Sequence, residues 1–389
     1  MKPHSAIPRG VWVLGFVSLL MDVSSEMIHS LLPLYLTVGL GASALVVGVI
    51  EGVAEAATLV VKVFSGTLSD ALGKRKWIAA AGYGMAAFSK PLFALATGPL
   101  LVFTARILDR IGKGIRGAPR DALIADLTPE SIRGAAFGLR QSLDTVGAVA
   151  GPLIAMALML AWNDNFRAVF WVAVIPAFLS FGLIAFAVRD AESPAGANRK
   201  KPEFSWRLAR GLGRAFWMVT AVGAAMTLAR FSEAFLILRA ENLGMAIAYT
   251  PLVLVGMSAV YALSAYPVGR LSDRIGPRGL LAAGIACLAA ADIVLALASG
   301  IAALAAGVVL WGLHLGLTQG LLSAMVANSA PEDRRGTAFG VFNLASGIAM
   351  LAASVIAGAL WEYVGPASTF WAGAVLAAAS LLLTRFARR

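Results

Sequence analysis

Several stretches of this chain run for the thickness of a bilayer without one Asp, Glu, Lys or Arg. They are Ala168 to Val188, Asn242 to Gly269, Ile293 to Ala330, Gly336 to Trp361 and Tyr363 to Thr384. A membrane-crossing helix needs about 20 apolar residues, and lipid leaves only helices or closed barrels as spanning structures. No barrel-like alternation is present, so an all-α integral membrane fold is expected. With 389 residues, 59% hydrophobic and only 14% charged, the composition excludes a soluble enzyme and a disordered chain.

Twelve spans are predicted, near 10–36, 43–70, 77–97, 99–126, 132–161, 167–188, 213–239, 246–272, 279–299, 301–329, 336–361 and 366–386. Residues 1–10 are short and basic, and the stretch after residue 10 is too long and too polar for a cleaved signal, so a first transmembrane helix is expected. The run from Ile293 to Ala330 is too long for one helix and must contain a turn or begin in the preceding span. A basic segment, Arg189 to Arg214, divides the chain into residues 1–188 and 213–389, with 189–212 as the linker.

The net charge is +11. In a soluble protein that surplus would suggest nucleic acid. Here its placement decides otherwise. With the N-terminus in the cytoplasm, 21 of the 32 Lys and Arg fall in cytoplasmic segments, nine lie within spans, and only Arg167 and Arg239 fall on the far side. That asymmetry sets orientation, both termini inward. No nucleic-acid partner is expected. The single Cys287 excludes a disulfide framework.

The sequence repeats itself. Gly66 to Arg75 (GTLSDALGKR) matches Gly269 to Arg278 (GRLSDRIGPR), and Pro129 to Gly138 (PESIRGAAFG) matches Pro331 to Gly340 (PEDRRGTAFG), at offsets of 203 and 202. Two matches at one period argue for a duplicated six-helix unit. Six spans return the chain to its starting side, so the halves are parallel repeats.

These motifs identify the chain as resembling the major facilitator superfamily over its whole length. The signature between spans 2 and 3 is carried by Gly66, Asp70, Gly73, Lys74 and Arg75, and its second copy by Gly269, Asp273 and Gly276. Span 4 carries Arg110-Ile-Gly-Lys113-Gly114, with Lys113 where the family has Gln. Span 5 carries Gly147, Gly151 and Pro152, the G-x-x-x-G-P motif of antiporter branches. The resemblance implies two pseudo-symmetric six-helix bundles and a conformational latch made by Asp70, Lys74 and Asp126 against span 11. In the second half Pro277 and Asn328 stand at the positions of Lys74 and Asp126, so the latch is expected only in the first. The resemblance also places spans 1, 4, 7 and 10 around a central cavity, with 2, 5, 8 and 11 at its sides.

Charges inside a membrane are costly, about 2.5–3.5 kcal/mol each on insertion scales, and need a wet cavity or a partner. At 100° per residue they form stripes. Asp22, Glu26 and His29 share a face of span 1, and Glu51, Glu55, Thr58 and Lys62 share one of span 2. Arg106, Asp109, Arg110, Lys113 and Arg120 form one stripe on span 4, and Arg140 and Asp144 lie with Gly147 and Gly151 on span 5. The opposing candidates are Arg230 and Glu233 on span 7, Tyr261 on span 8, His314 and Gln319 on span 10, and Asn343 on span 11. Lys90 and Asp292 lie on spans the resemblance puts outside the cavity.

The expected function is secondary active transport by alternating access: proton-coupled efflux of a small molecule across the inner membrane of a prokaryote. Glu26 or Asp22 would switch against Arg106 or Arg110. No G-x-x-x-x-G-K-[ST] loop is present to use ATP. Divalent-cation export by the acids and His29, and organic-anion transport by the basic stripe of span 4, are the alternatives. No cofactor, resident metal or enzymatic activity is expected, and the carrier is expected to be monomeric with protons, substrate and lipid as its partners.

Overall fold

The computed structural model describes residues 7–72, 74–188, 211–331 and 334–386. Its secondary structure is helical throughout these residues. The first pass is α1a (Arg9–His29), followed after a turn at Ser30 and Leu31 by α1b (Leu32–Leu34), which runs on as a π-turn through Tyr35–Gly39. Then come α2 (Ala44–Leu72), α3 (Arg75–Leu95), α4 (Pro99–Leu127), α5 (Arg133–Ala161) and α6 (Phe166–Gly182). The seventh pass is also in two pieces, α7a (Arg214–Ala229) and α7b (Ala234–Asn242). It is followed by α8 (Pro251–Ile275), α9 (Pro277–Leu297), α10 (Ile301–Ser329), α11 (Arg335–Tyr363) and α12 (Pro366–Phe386).

Local chemistry sets several boundaries. Pro99, Pro251, Pro277 and Pro366 open their helices, where the missing N–H costs nothing. Asn165 caps α6, its side chain accepting from the Ala168 amide at 3.1 Å. Gly276, from the second signature, sits at φ +84° between α8 and α9. That left-handed turn requires glycine. The long run from Ile293 to Ala330 does contain a turn, at Ala298–Gly300.

Among the described residues, eleven helical segments are long and apolar enough to cross a membrane. The remaining pass, α4, is 29 residues long and carries eight charged side chains from Arg106 to Asp126, which keep it from qualifying. The chain divides into two compact units: Met1–His29 with Val60–Pro202, and Ser30–Leu59 with Glu203–Arg389.

The two units repeat one packing plan. In the first, α1a packs on α5 and α6, and α3 on α4 and α6. In the second, α7a packs on α11 and α12, and α9 on α10 and α12. The first core gathers Val11, Leu14, Val17 and Met21 of α1a, Tyr83 and Ala86 of α3, Leu123 of α4 and Ala177 of α6. Within the second unit the first half of α2 lies tightly on α11: a Cβ at Gly48 would overlap the Ser354 carbonyl, and one at Gly358 would lie 2.7 Å from the Ala44 carbonyl. The Ala44 amide at the start of α2 donates to Glu362 Oε2 at 3.0 Å. Outward faces are apolar and bare, as lipid requires: Trp12, Phe88, Trp171, Leu263 and Val375 are exposed.

Candidate functional site

In the first unit the acids of α1a stand on the glycines of α5. A Cβ at Gly147 would lie 2.9 Å from Asp22 Cβ, and one at Gly151 2.8 Å from Glu26 Cβ. The motif of span 5 is thus a groove that seats the two α1a carboxylates close to the α5 backbone. Small residues permit such an approach. Glu26 Oε2 lies 3.4 Å from His29 Nδ1, and Lys113 and Arg110 act on it electrostatically. Asp22 feels Asp144 as well as Lys113, Arg116 and Arg120.

Below this pair the network continues. Arg140 Nη1 reaches Asp144 Oδ2 and Asp121 Oδ1, both at 3.3 Å. Arg120 bonds Asp121 at 3.1 Å and Ser18 at 3.0 Å, and the Ser18 hydroxyl meets the Tyr83 hydroxyl at 3.2 Å. Helices α1a, α3, α4 and α5 are joined by this chain of side chains. Asp121 and Ser18 escaped the sequence reading. The signal for Asp121 was its place beside Arg120 within a charged helix.

A second, drier network lies between α1a, α3 and α4. Lys90 Nζ donates to Asp109 Oδ1 at 2.8 Å and to Ser25 Oγ at 2.9 Å, with Lys90 and Asp109 1% and 2% exposed. Arg110 Nε lies 4.0 Å from Asp109 Oδ2, and Arg106 is buried beside them. Arg116 is buried with its guanidinium 4.9 Å from the centre of the Tyr83 ring. Lys113 alone of this stripe is exposed.

In the second unit Arg230 interacts electrostatically with Glu233, Glu55 and Tyr261, while Glu51 is buried on the same helix as Glu55. Arg230 and Glu233 are the first and last residues of the gap between α7a and α7b. Ser232 and Glu233 of this four-residue gap lie 202 residues after Ser30 and Leu31, so the duplicated helices 1 and 7 are broken at matching points, each beside charged residues. The sequence predicted both passes as continuous. In span 1 the missing N–H of Pro33 leaves the His29 carbonyl without its helical donor. In span 7 no proline marks the gap, and Ser232 Oγ accepts from the Ala234 amide at 3.3 Å to start α7b.

His314 is placed against α9. Its Nδ1 lies 2.8 Å from the Gly284 carbonyl, which makes Nδ1 the protonated nitrogen, and its Nε2 is buried without a hydrogen-bond partner among the described residues. Gln319 is exposed on α10 and Asn343 half-buried on α11. Of the signature residues, Gly73 lies outside the described residues, as do the side-chain positions at Gly66, Asp70 and Asp273. The partner of Asp126 is Arg75, through Nη1, which also reaches the Ala122 carbonyl at 3.5 Å. Lys74 is exposed and Gly269 has open space around it. Pro152 lies inside α5, one residue past Gly151.

Among the described residues no group of three or more His, Cys, Asp or Glu side chains could hold a metal ion.

The chain matches the Major Facilitator Superfamily model over residues 14–238 and 219–389. It is 32% identical to an uncharacterised MFS-type transporter of Methanocaldococcus jannaschii, over 98% of this chain and 95% of that one. It is also 32% identical to the multidrug resistance protein MdtH of Photorhabdus laumondii, over 42% of this chain and 39% of the relative. Among solved structures it resembles a bacterial homologue of the human lysosomal transporter Spinster, with TM-score 0.79 and 14% identity over 99% of this chain and 98% of that one. The nucleoside transporter NupG is similar, with TM-score 0.78 and 14% identity over 97% and 99% of the two chains. These relatives are transporters, not enzymes. The chain belongs to the major facilitator superfamily and is a multi-pass membrane transporter.

Proposed function

We propose that the protein is a secondary active transporter that exports a small molecule by alternating access in exchange for protons, built as two duplicated six-helix halves. The observation that carries this reading is the seating of Asp22 and Glu26 on Gly147 and Gly151. Two carboxylates within the membrane, set on the backbone of a neighbouring helix and faced by Lys113, Arg110, Arg116 and Arg120, form a pair that a small helix movement re-balances. Moving a guanidinium away from a carboxylate favours its protonation, and moving it back expels the proton. The partial likeness to a multidrug resistance protein supports export. The 21-to-2 distribution of Lys and Arg supports cytoplasmic termini in a prokaryotic inner membrane.

The test has two stages. A thermal-shift panel of cationic drugs, organic anions and divalent metals identifies a ligand for the purified protein. That ligand is then added to proteoliposomes holding a pH-sensitive dye. Wild-type protein moves protons against the ligand, whereas Glu26→Gln binds it without moving protons. Proton movement by Glu26→Gln equal to wild type removes Glu26 from the coupling step.

A second reading has its own support. Lys90, Arg106, Arg110 and Arg116 are all buried in the first unit, while Asp109 is the one acid on α3 and α4 buried with them. That surplus suits an organic anion as the substrate. Competition by organic anions in the same panel tests it.

A further inference from the structure

The repeat places two opposite chemistries at one position. Lys90 and Asp292 are 202 residues apart, on α3 and α9. In the first unit the ionised Lys90 has two partners, Asp109 and Ser25. The matching positions in the second unit hold Trp311 and Thr227. Neither serves Asp292. The Thr227 hydroxyl donates to the Gly223 carbonyl at 2.8 Å, and Trp311 Nε1 has no hydrogen-bond partner among the described residues.

Asp292 is 0% exposed, and among the described residues neither of its carboxyl oxygens has a hydrogen-bond partner. Its Oδ2 abuts Gly373 of α12, where a Cβ would overlap it and would lie 3.0 Å from the Phe231 ring. Phe231 in turn stacks near Trp311 and Phe370, at 5.3 and 5.5 Å between ring centres. The crevice that Gly373 also lines measures about 10 Å³ and is apolar except for Thr369, whose hydroxyl already donates to the Ala357 carbonyl at 2.9 Å. Such a crevice scarcely admits one water.

The helices packed on α9 bring few titratable groups. α12 has none between Pro366 and Thr384, and α10 brings His314, bonded to Gly284. α8 brings Tyr261, Tyr266, Arg270, Asp273 and Arg274, α9 itself brings Arg278 and Cys287, and Arg230 and Glu233 lie on either side of Phe231 in the chain; the side chains of Asp273 and Arg278 lie outside the described residues. None of the described ones bonds to Asp292. An ionised carboxylate in this enclosure would carry its full desolvation cost with no compensating donor or cation.

We propose that Asp292 is a proton-binding site: its carboxyl is neutral at physiological pH and holds a proton in the aromatic enclosure between α9, α10 and α12. The site is distinct from the α1a acids and stands whether or not those acids couple transport to protons. It makes the two repeats unequal, with an ionic, hydrogen-bonded junction in the first unit and a protonated one in the second. Ionising Asp292 would place an unpartnered charge at the α9–α12 contact at Gly373, so that contact weakens at alkaline pH.

Infrared difference spectroscopy of the full chain in lipid, recorded between acid and alkaline pH, tests this. The expected result is a carbonyl stretch from a protonated carboxyl at neutral pH. It shifts when aspartate is labelled with carbon-13 at the carboxyl, disappears in Asp292→Asn and persists in Asp22→Asn and Glu26→Gln. Asp292→Asn, which imitates the protonated group, keeps the wild-type melting midpoint and loses its fall at alkaline pH. The labelling result needs no variant, so the proposal stays testable should Asp292→Asn fail to fold. A band absent at neutral pH, unmoved by aspartate labelling, or retained in Asp292→Asn overturns the assignment.

Discussion

Arg239 donates from Nη2 to the carbonyl of Ala298 at 2.9 Å, closing the C-terminal end of α9. Its Nε also reaches the Leu295 carbonyl at 3.1 Å, and Nη1 bonds Asn242 at 2.6 Å. In the first unit Arg167 donates to the Ala96 carbonyl at 3.0 Å, at the end of α3. Ala96 and Ala298 are 202 residues apart, so both repeats cap the same helix end, from different helices. Arg167 and Arg239 are also the two basic residues that break the charge asymmetry. They stand where they do because helix C-termini leave carbonyls unsatisfied.

Removing these caps has unequal effects. Hydrogen bonds from a charged donor contribute about 1.5–3 kcal/mol. Arg239→Ala frees several buried carbonyls and should lower the melting midpoint of the purified protein clearly. Arg167→Ala frees the Ala96 carbonyl and should lower it less. Equal or absent shifts would show that water replaces the guanidinium at both ends.

The Lys90–Asp109 pair behaves as a unit. Asp109→Asn leaves a buried ammonium without its counter-charge, which costs about 3–5 kcal/mol. Lys90→Leu alone leaves the Asp109 carboxylate with Arg110, whose Nε lies 4.0 Å away, and should cost less. The double variant Lys90→Leu with Asp109→Leu should recover most of the loss, read as melting midpoints in a double-mutant cycle. Additive losses would mean that the two residues are held by separate neighbours.

The fold was readable because lipid leaves so few choices. Span length, charge-free runs and the duplicated signature each point to twelve helices, and the observed helices lie within a few residues of their predicted bounds. What lay hidden needed either three dimensions or a single atom. Lys90 meets Asp109 across two helices 19 residues apart, a pairing no spacing rule selects. The break at Ser30 turns on one missing N–H at Pro33, which looks like any proline within a membrane helix, and the break before Ala234 has no proline or glycine to announce it. Asp22 and Glu26 were readable as candidates, but not their seat on Gly147 and Gly151. The glycines fell on the correct face of α5, and only the packing of α1a on α5 joins the two motifs.

That seat is testable without touching a charge. A Cβ at Gly151 would lie 2.8 Å from both Glu26 Cβ and the Val23 carbonyl, so Gly151→Ala forces α1a away from α5. Overpacking of this kind costs about 1–3 kcal/mol. Transport in proteoliposomes should fall several-fold or more while the protein still purifies as a folded species. Gly138→Ala, on the same helix with open space around it, should transport normally. Equal transport by both would detach the helix 5 motif from the mechanism.

The two helix breaks invite a final comparison. An interior proline costs a helix about 3 kcal/mol, chiefly through the lost hydrogen bond and a clash with the preceding turn. Pro33→Ala returns an N–H that the His29 carbonyl can accept, so α1a can run on into α1b through Ser30 and Leu31. The expected result is a higher melting midpoint with slower turnover, since a continuous helix resists bending beside Glu26. Ser232→Ala at the matching break should act in the opposite sense on stability. It removes the side chain that accepts from Ala234, and loss of such a cap costs about 1 kcal/mol. A Pro33→Ala variant with unchanged midpoint and turnover would show that the break in helix 1 is set by packing of Leu31, Leu32 and Leu34, all buried, and not by the proline.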